Sequence, residues 1–126
     1  MDTPAARPAA SAANADWQVV CLCAAWCGTC RDWRATFDQA ADARPGMRFA
    51  WVDIEDEADA LGEVDVETFP TLLVAQGGRA CFYGPVLPQA AQVDRLLASL
   101  QQADARAARV APEAQGLLDR LNDAVL

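Results

Sequence analysis

The sequence predicts an α/β fold, a mixed β-sheet flanked by helices, and three observations carry that prediction. The segment 16–23 is apolar at almost every position, as expected of a central strand that is buried on both faces. A helical stripe of apolar residues follows it, and then a second strand-like run at 48–54. Farther along, two apolar runs flank Gly77-Gly78, the signal of a two-residue hairpin. The expected order is β-α-β-α-β-β-α, with one extra helix at the C-terminal end.

The first half of the chain predicts a strand–helix–strand unit. Its helix covers 31–43 and ends at Pro45-Gly46. The buried side of this helix is expected to carry Cys30, Trp33, Phe37 and Ala41. Because a helix joins the first two strands, they should be parallel, with a right-handed crossover. The acidic segment 55–63 suits only a short helix or a turn, and its charges are expected to be solvated.

The second half predicts a hairpin and two helices. Pro70 cannot donate a hydrogen bond to a ladder, so it should open the third strand. After the return strand at 79–83, a helix is expected over 88–108, and Pro112 suits the first turn of a last helix. One side of that last helix carries Leu117, Leu118, Leu121 and Val125. This stripe should pack on its own domain, with a dimer contact as the alternative.

Length and composition limit the possible classes of protein. The 126 residues suit one domain, which we divide into a flexible leader (1–15), a main domain (16–108) and a helical extension (109–126). The net charge of −8 argues against nucleic-acid binding. No run of about 20 apolar residues predicts a membrane span. The first residues lack the pattern of a secretory signal, so a cytoplasmic protein is expected.

The cysteines are concentrated rather than spread. There are five, four of them within 21–30, and the chain has no histidine, which removes Cys-His catalysis and mixed Cys/His zinc sites. Cys27 and Cys30 lie where the first strand passes into the first helix. Residues three apart on a helix have Cβ atoms roughly 5–6 Å apart, close enough for a disulfide. The helix N-terminus favours a thiolate, which is the reactive form of cysteine.

A redox pair is favoured over two simpler interpretations of Cys27 and Cys30. They could be a structural pair or half of a zinc site, but zinc requires four ligands. Cys21 and Cys23 are the nearest candidates, and they lie on a strand that should be buried. These two point to one face of the strand and are expected to be small buried hydrophobes, with a backup thiol under the pair as the alternative. Cys81 is also expected to be buried.

The sequence resembles the thioredoxin family. The resemblance rests on Trp26-Cys27-Gly28-Thr29-Cys30 after a buried strand, on Phe69-Pro70-Thr71 about forty residues later, and on the Gly-Gly hairpin. It covers about 16–103 and implies a thioredoxin fold with a trimmed N-terminus. It also implies that Cys27 is the attacking thiol and Cys30 the resolving thiol. Where family members carry a buried acid and its lysine partner, this chain has Cys21 and Trp51.

The resemblance implies a substrate-binding surface as well. Its expected members are Trp26, Gly28, Thr29, Phe69 and Pro70. Pro70 would be a cis-proline facing the cysteines, and the backbone of Phe69 would pair with a substrate chain. Trp26 could instead be plain packing, although an aromatic surface beside a reactive thiol suits docking better.

The predicted function is therefore thiol–disulfide exchange by a dithiol at Cys27 and Cys30. The expected partners are a disulfide-containing protein and an electron-donating reductase or thiol, with neither cofactor nor metal. A monomer is expected, with a dimer through the last helix as the alternative. Two other functions remain open: a binding or redox-sensing module without turnover, and a cysteine-based metal carrier.

Overall fold

Four strands form one mixed sheet in the computed structural model, which describes residues 17–62, 64, 66–102 and 110–126. They are β1 (Trp17–Cys23), β2 (Arg48–Asp53), β3 (Thr71–Gln76) and β4 (Arg79–Pro85). The sheet order is β2-β1-β3-β4, so β1 is interior. It pairs in parallel with β2 and antiparallel with β3, while β3 and β4 form the antiparallel hairpin. The predicted fold class, the parallel first pair and the hairpin are confirmed.

The helices of the described residues lie where the apolar stripes predict them. They are α1 (Gly28–Ala43), α2 (Ala58–Leu61), α3 (Ala90–Gln102) and α4 (Pro112–Ala124). One detail of the prediction is wrong: the last buried residue of α1 is Ala40, whereas Ala41 is only half-buried. Helix periodicity does not explain this difference, because three turns of an ideal helix span about 10.8 residues and bring Ala41 nearer than Ala40 to the face of Cys30. The packing at the end of α1, and not its period, therefore buries Ala40. The predicted leader, 1–15, and the end of the predicted third helix, 103–108, lie outside the described residues.

The two faces of the sheet carry different chemistry because side chains of β1 alternate between them. Val19, Cys21 and Cys23 point to the face under α1 and α3, which we call the thiol face. Val20 and Leu22 point to the opposite face, under α2 and α4, which we call the aliphatic face. All seven residues of β1 are buried, including Gln18, the one polar residue of the strand.

Helix α4 closes the aliphatic face. The side chains of Leu117, Leu118 and Leu121 have no exposed surface, so the predicted packing of this helix on its own domain is confirmed. The guanidinium of Arg120 donates to the carbonyl oxygens of Ala60 (2.7 Å) and Leu61 (3.1 Å) at the end of α2. The helix is thus held both by apolar burial and by hydrogen bonds to the neighbouring element.

Candidate active site

The loop between β1 and α1 carries the cysteine motif. The amide of Cys27 donates to the carbonyl of Ala24 at 3.0 Å, which closes a tight turn, and Cys27 is the N-cap residue of α1. Its own side chain makes no capping hydrogen bond, and its thiol is free and partly exposed. The first amides of a helix have no intrahelical partner and favour negative charge. Cys27 therefore places a free, partly exposed thiol at the start of a helix.

Cys30 lies one turn into α1 and faces inward. It is 1 % exposed, and its sulfur is bonded to Cys23 at the end of β1. The Cα atoms of Cys23 and Cys30 are 5.8 Å apart, within the range of about 4.4–6.8 Å that disulfides adopt. The sequence predicts Cys27 as the partner of Cys30, and it predicts a small buried hydrophobe at Cys23 with a backup thiol under the pair as the alternative. Cys23 is buried, but it also bonds Cys30, because its side chain points to the thiol face under the first turn of α1.

Cys21 is a second buried thiol beside this disulfide. Its Sγ lies 3.8 Å from the Sγ of Cys23 and accepts a hydrogen bond from Nε1 of Trp33 at 3.4 Å. Burial raises the pKa of Cys21 to about 12, although the Trp33 hydrogen bond and the charge of Arg34 act in the opposite direction. The predicted burial of Cys21 is confirmed. It stays a neutral thiol wherever the protein is folded near neutral pH.

Two aromatic rings form an exposed surface next to the motif. Trp26 is 60 % exposed, and its ring meets that of Phe69 edge-on, with centroids 5.6 Å apart. The Phe69–Pro70 peptide bond is cis, and Thr71 Oγ1 donates to the carbonyl of Thr68 at 2.6 Å across this turn. Phe69 and Cys27 both pack against the residues of the thiol face. The structure therefore gathers an aromatic surface and the motif at one end of the sheet.

The remaining predicted site residues lie at the start of α1. Gly28 and Thr29 are its first two residues, and both are exposed. Arg31 donates from Nη1 to the carbonyl of Ala25 at 2.9 Å and so holds the motif loop. Arg34 lies farther along, with its guanidinium carbon 4.6 Å from the centre of the Trp51 ring. Of the two arginines that follow the motif, Arg31 contacts the motif loop, whereas Arg34 packs on an aromatic ring.

Sequence reasoning missed Asp53 as a support of this site. Its Oδ2 accepts a hydrogen bond from the amide of Ala25 at 2.8 Å, and its Oδ1 accepts from the amides of Glu55 (2.8 Å) and Asp56 (3.2 Å). Oε2 of Glu55 in turn accepts from Nε1 of Trp26 at 3.0 Å, so the acidic segment is exposed but not merely solvated. An aspartate at the end of a buried strand and before a turn is the signal that could have identified this role.

Two absences apply to the described part of the chain. No three or more cysteine, aspartate or glutamate side chains in it are grouped so that they could hold a metal ion. None of its helices has the length and apolar character needed to cross a bilayer.

The fold and the site together define the class of this protein. A cysteine pair lies at the N-terminus of a helix that packs on a mixed sheet, and an X-Pro cis bond lies in a turn at the same end. The chain belongs to the thioredoxin family, since the family model described as Thioredoxin matches residues 9–101.

Similarity to individual proteins is partial in sequence. The chain is 33% identical over 72 residues to putative thioredoxin 2 of Streptomyces coelicolor, which covers 56% of this chain and 54% of that protein. It is 32% identical over 60 residues to a thioredoxin of Mycoplasma genitalium, covering 48% and 59%. The chain thus spans about half the length of the curated relatives that it matches.

Similarity in structure extends over more of the chain. The X-ray structure of Fasciola hepatica thioredoxin superposes with a TM-score of 0.61 and 20% identity over 75% of this chain and 89% of that one. The solution structure of oxidised thioredoxin from Plasmodium falciparum gives 0.59 and 16% over 77% and 91%. These structures establish the thioredoxin fold.

Proposed function

We propose that this protein is a thiol–disulfide oxidoreductase that acts through Cys27 and Cys30. One observation carries the proposal: a free, partly exposed cysteine caps α1, and a second, buried cysteine lies one turn further into the same helix. Family membership supports the same chemistry. The exposed thiol can reach an external disulfide, and the buried one is protected from outside reagents, which is the division of roles that the exchange reaction needs.

The reaction has two steps that balance in atoms and electrons. The Cys27 thiolate attacks one sulfur of a substrate disulfide, forms a mixed disulfide and releases the first substrate thiolate. The thiolate of Cys30 then attacks the sulfur of Cys27 and releases the second substrate thiolate. Two electrons pass to the substrate, and the protein is left with a Cys27–Cys30 disulfide. A reductase or a small thiol returns the two electrons.

The substrate side of the site suits an extended polypeptide. Exposed Trp26, stacked edge-on against Phe69, offers an apolar surface beside the attacking sulfur. Among the described residues, none forms a hydrogen bond with the backbone of Phe69, which is thus available to a substrate chain. Gly28 and Thr29 leave the approach to Cys27 open, and Pro70 shapes the facing turn.

The proposal extends to the domain organisation, the oligomeric state and the compartment of the protein. We infer a main domain at 16–108 with a helical extension at 109–126 that covers the aliphatic face, and a protein that acts as a monomer in the cytoplasm without a bound cofactor. Because Leu117, Leu118 and Leu121 of α4 are buried within their own chain, these three side chains offer no free apolar surface for a dimer contact.

One observation favours a second candidate, a redox-sensing module without turnover. Cys30 is bonded to buried Cys23, which leaves Cys27 as a single free thiol near the surface. A module of this kind would form and break its internal disulfide when conditions change, without passing electrons to a substrate disulfide.

Reduction of insulin disulfides by dithiothreitol separates the two candidates. The oxidoreductase should accelerate the reaction, and Cys30→Ser should accumulate a mixed disulfide between Cys27 and insulin. Cys81→Ser is the matched control, because Cys81 is also a buried cysteine but donates only to the carbonyl of Arg79. Its rate should equal that of the unmodified protein. An unmodified protein that leaves the insulin reaction at its background rate would eliminate the oxidoreductase and leave the sensing module.

A further inference from the structure

Cys30 has two cysteines within reach, one on each side of it. Cys27 precedes it by three residues on the exposed side, at the helix cap. Cys23 lies below it on β1, where its side chain has no exposed surface and its sulfur is bonded to that of Cys30. The inward pairing links the central strand of the sheet to the first turn of the helix above it. The thioredoxin-type reaction proposed above uses only the outward pairing.

We propose that Cys23 is a third redox-active cysteine. It replaces Cys27 as the disulfide partner of Cys30, so that the disulfide comes to lie in the core. The step is an internal exchange. The sulfur of Cys23 attacks the sulfur of Cys30, the Cys23–Cys30 bond forms, the Cys27–Cys30 bond breaks, and its electron pair leaves on Cys27. The proton that Cys23 loses balances the one that Cys27 gains when it is protonated. Cys23 is oxidised, Cys27 is reduced, and no outside oxidant is consumed.

The direction of this exchange follows from where each sulfur lies. Cys27 is a good leaving group because the unpaired amides at the start of α1 stabilise its thiolate and because solvent reaches it. A disulfide carries no charge, so Cys23 and Cys30 can hold it in the apolar core without a desolvation penalty. The exchange therefore leaves the free sulfur at the surface and the uncharged disulfide inside.

Cys21 and Trp33 support the sulfur of Cys23. In the bonded form Cys23 has no hydrogen on its sulfur, so the thiol of Cys21 is the donor across their 3.8 Å contact. The Trp33 indole donates to Cys21 in turn. This chain of donors points at Cys23 and stabilises negative charge there whenever it attacks or leaves. Its members are all buried.

The oxidised protein should thus keep one reactive thiol at its surface. Reduction must then begin at Cys27, which attacks Cys30 in the reverse of the step above and returns the disulfide to the exposed pair. This inference rests on the proposed function only for the formation of the first, exposed disulfide.

Peptide mapping of the unmodified protein tests the pairing directly. The protein is reduced, oxidised with diamide, held at pH 7.5 for an hour and alkylated with N-ethylmaleimide in acid denaturant, where disulfides do not rearrange. Chymotrypsin then cuts after Trp26 and Trp33. A Cys23–Cys30 bond joins two peptides, whereas a Cys27–Cys30 bond closes a loop within one peptide. We expect the joined peptides to account for more than half of the oxidised material, with Cys27 alkylated. A smaller share would overturn the inference.

Native labelling gives a second readout that needs no digestion. With a polyethylene-glycol maleimide, the oxidised folded protein should gain one adduct, at Cys27, and Cys27→Ala should gain none. No adduct on the oxidised unmodified protein would mean that Cys27 is in the disulfide and that the inference is wrong. In that case insulin reduction can still proceed, so the inference fails alone. Absence of any disulfide after diamide would overturn both the inference and the proposed function.

The route through Cys27 has its own test. In Cys27→Ala, diamide must oxidise two buried thiols directly, so the Cys23–Cys30 bond should form at least about tenfold more slowly than in the unmodified protein, because buried thiols react poorly. Cys81→Ser, the control, should match the unmodified rate. An equal rate in Cys27→Ala would show that the inner disulfide does not arise by exchange.

Discussion

The two faces of one sheet have different compositions and different tasks. The thiol face carries Cys21, Cys23, Cys30 and Cys81 together with most of the aromatic rings. The aliphatic face contains valine, leucine, alanine and isoleucine, with one partly buried tyrosine and no cysteine among the described residues. Both faces are equally well buried along β1, so exposure does not distinguish them. The difference lies in what the buried side chains can do chemically.

The comparison shows how a strand that is buried on both sides can serve two purposes. Because the side-chain period of a strand is two, Cys21 and Cys23 share a face, while Leu22 between them packs against the aliphatic face. Stability can be supplied on one side without disturbing the geometry of the thiols on the other. We therefore expect substitutions on the two faces to affect different properties.

Cys27→Ser should have the largest effect, and on activity alone. A hydroxyl is a far weaker nucleophile than a thiolate, so the rate of insulin reduction should fall at least about 100-fold, to background. The free energy of unfolding should change by less than about 0.5 kcal/mol, since Cys27 is partly exposed. Insulin turbidity and urea unfolding of the same preparation measure the two quantities. A variant that retains more than a tenth of the activity would contradict the assignment of the attacking thiol.

Leu118→Ala, on the aliphatic face, should lower stability and leave activity unchanged. Truncation of a fully buried leucine removes about 2–5 kcal/mol of unfolding free energy. Insulin reduction per folded molecule should be unchanged at low temperature, because no cysteine lies on that face. Leu87→Ala is the control, since Leu87 is 56% exposed and should cost almost nothing. A loss of activity in folded Leu118→Ala would show that the two faces are coupled.

Alkaline pH should weaken the thiol face through Cys21. Burial raises the pKa of Cys21 in the folded protein to about 12, above the ordinary thiol value of 9.0, so the unfolded chain loses this proton first and the folded state binds more protons between these two pH values. The stabilisation from a neutral Cys21 is complete below about pH 9 and is lost as pH rises toward 12, with roughly 1 kcal/mol lost by pH 10. Urea unfolding of the fully reduced protein measures the free energy of unfolding from pH 7 to 10. This free energy should fall more steeply with pH for the unmodified chain than for Cys21→Ala. Parallel profiles would argue against this account.

Trp26→Ala should give the smallest change and confine it to substrate binding. An aromatic contact between Trp26 and a substrate chain is worth about 0.5–1.5 kcal/mol, so KM for insulin should rise roughly twofold to tenfold with kcat retained. Trp26→Phe keeps a ring against Phe69 but loses the hydrogen bond to Glu55. Its KM should lie between that of the unmodified protein and that of Trp26→Ala. A fall in kcat with unchanged KM would place Trp26 in the chemistry rather than in docking.

Local sequence patterns were sufficient for the fold. The apolar run of β1, the Gly77-Gly78 turn and the stripe of α4 each specify their own element and the side on which it packs. The shared face of Cys21 and Cys23 also follows from strand alternation. The same patterns placed Cys27 at the start of a helix, because position along the chain determines that relation.

The pairing of Cys30 could not be predicted in the same way. Spacing shows that Cys27 is near Cys30 in sequence, but the distance from Cys30 to Cys23 depends on how closely α1 packs over the end of β1. That closeness results from Trp33 and Phe37, both buried between helix and sheet. Tertiary packing, with no signature in any short window, decided which sulfur Cys30 meets. The hydrogen bond from Ala25 to Asp53 crosses 28 positions, so the place of Asp53 at the end of β2 signals a turn but does not identify Ala25 as its partner.

Asp53 has a consequence for motion. One carboxylate receives the amide of Ala25, just before the motif, and the amides of Glu55 and Asp56, just after β2. If that side chain turns away, all three amides lose their acceptor at once. The two loops are therefore expected to open as one cooperative unit of local unfolding, and their amide protons should exchange with deuterium at matching rates. Opening of the loop before Cys27 would then be timed by a residue on a different strand.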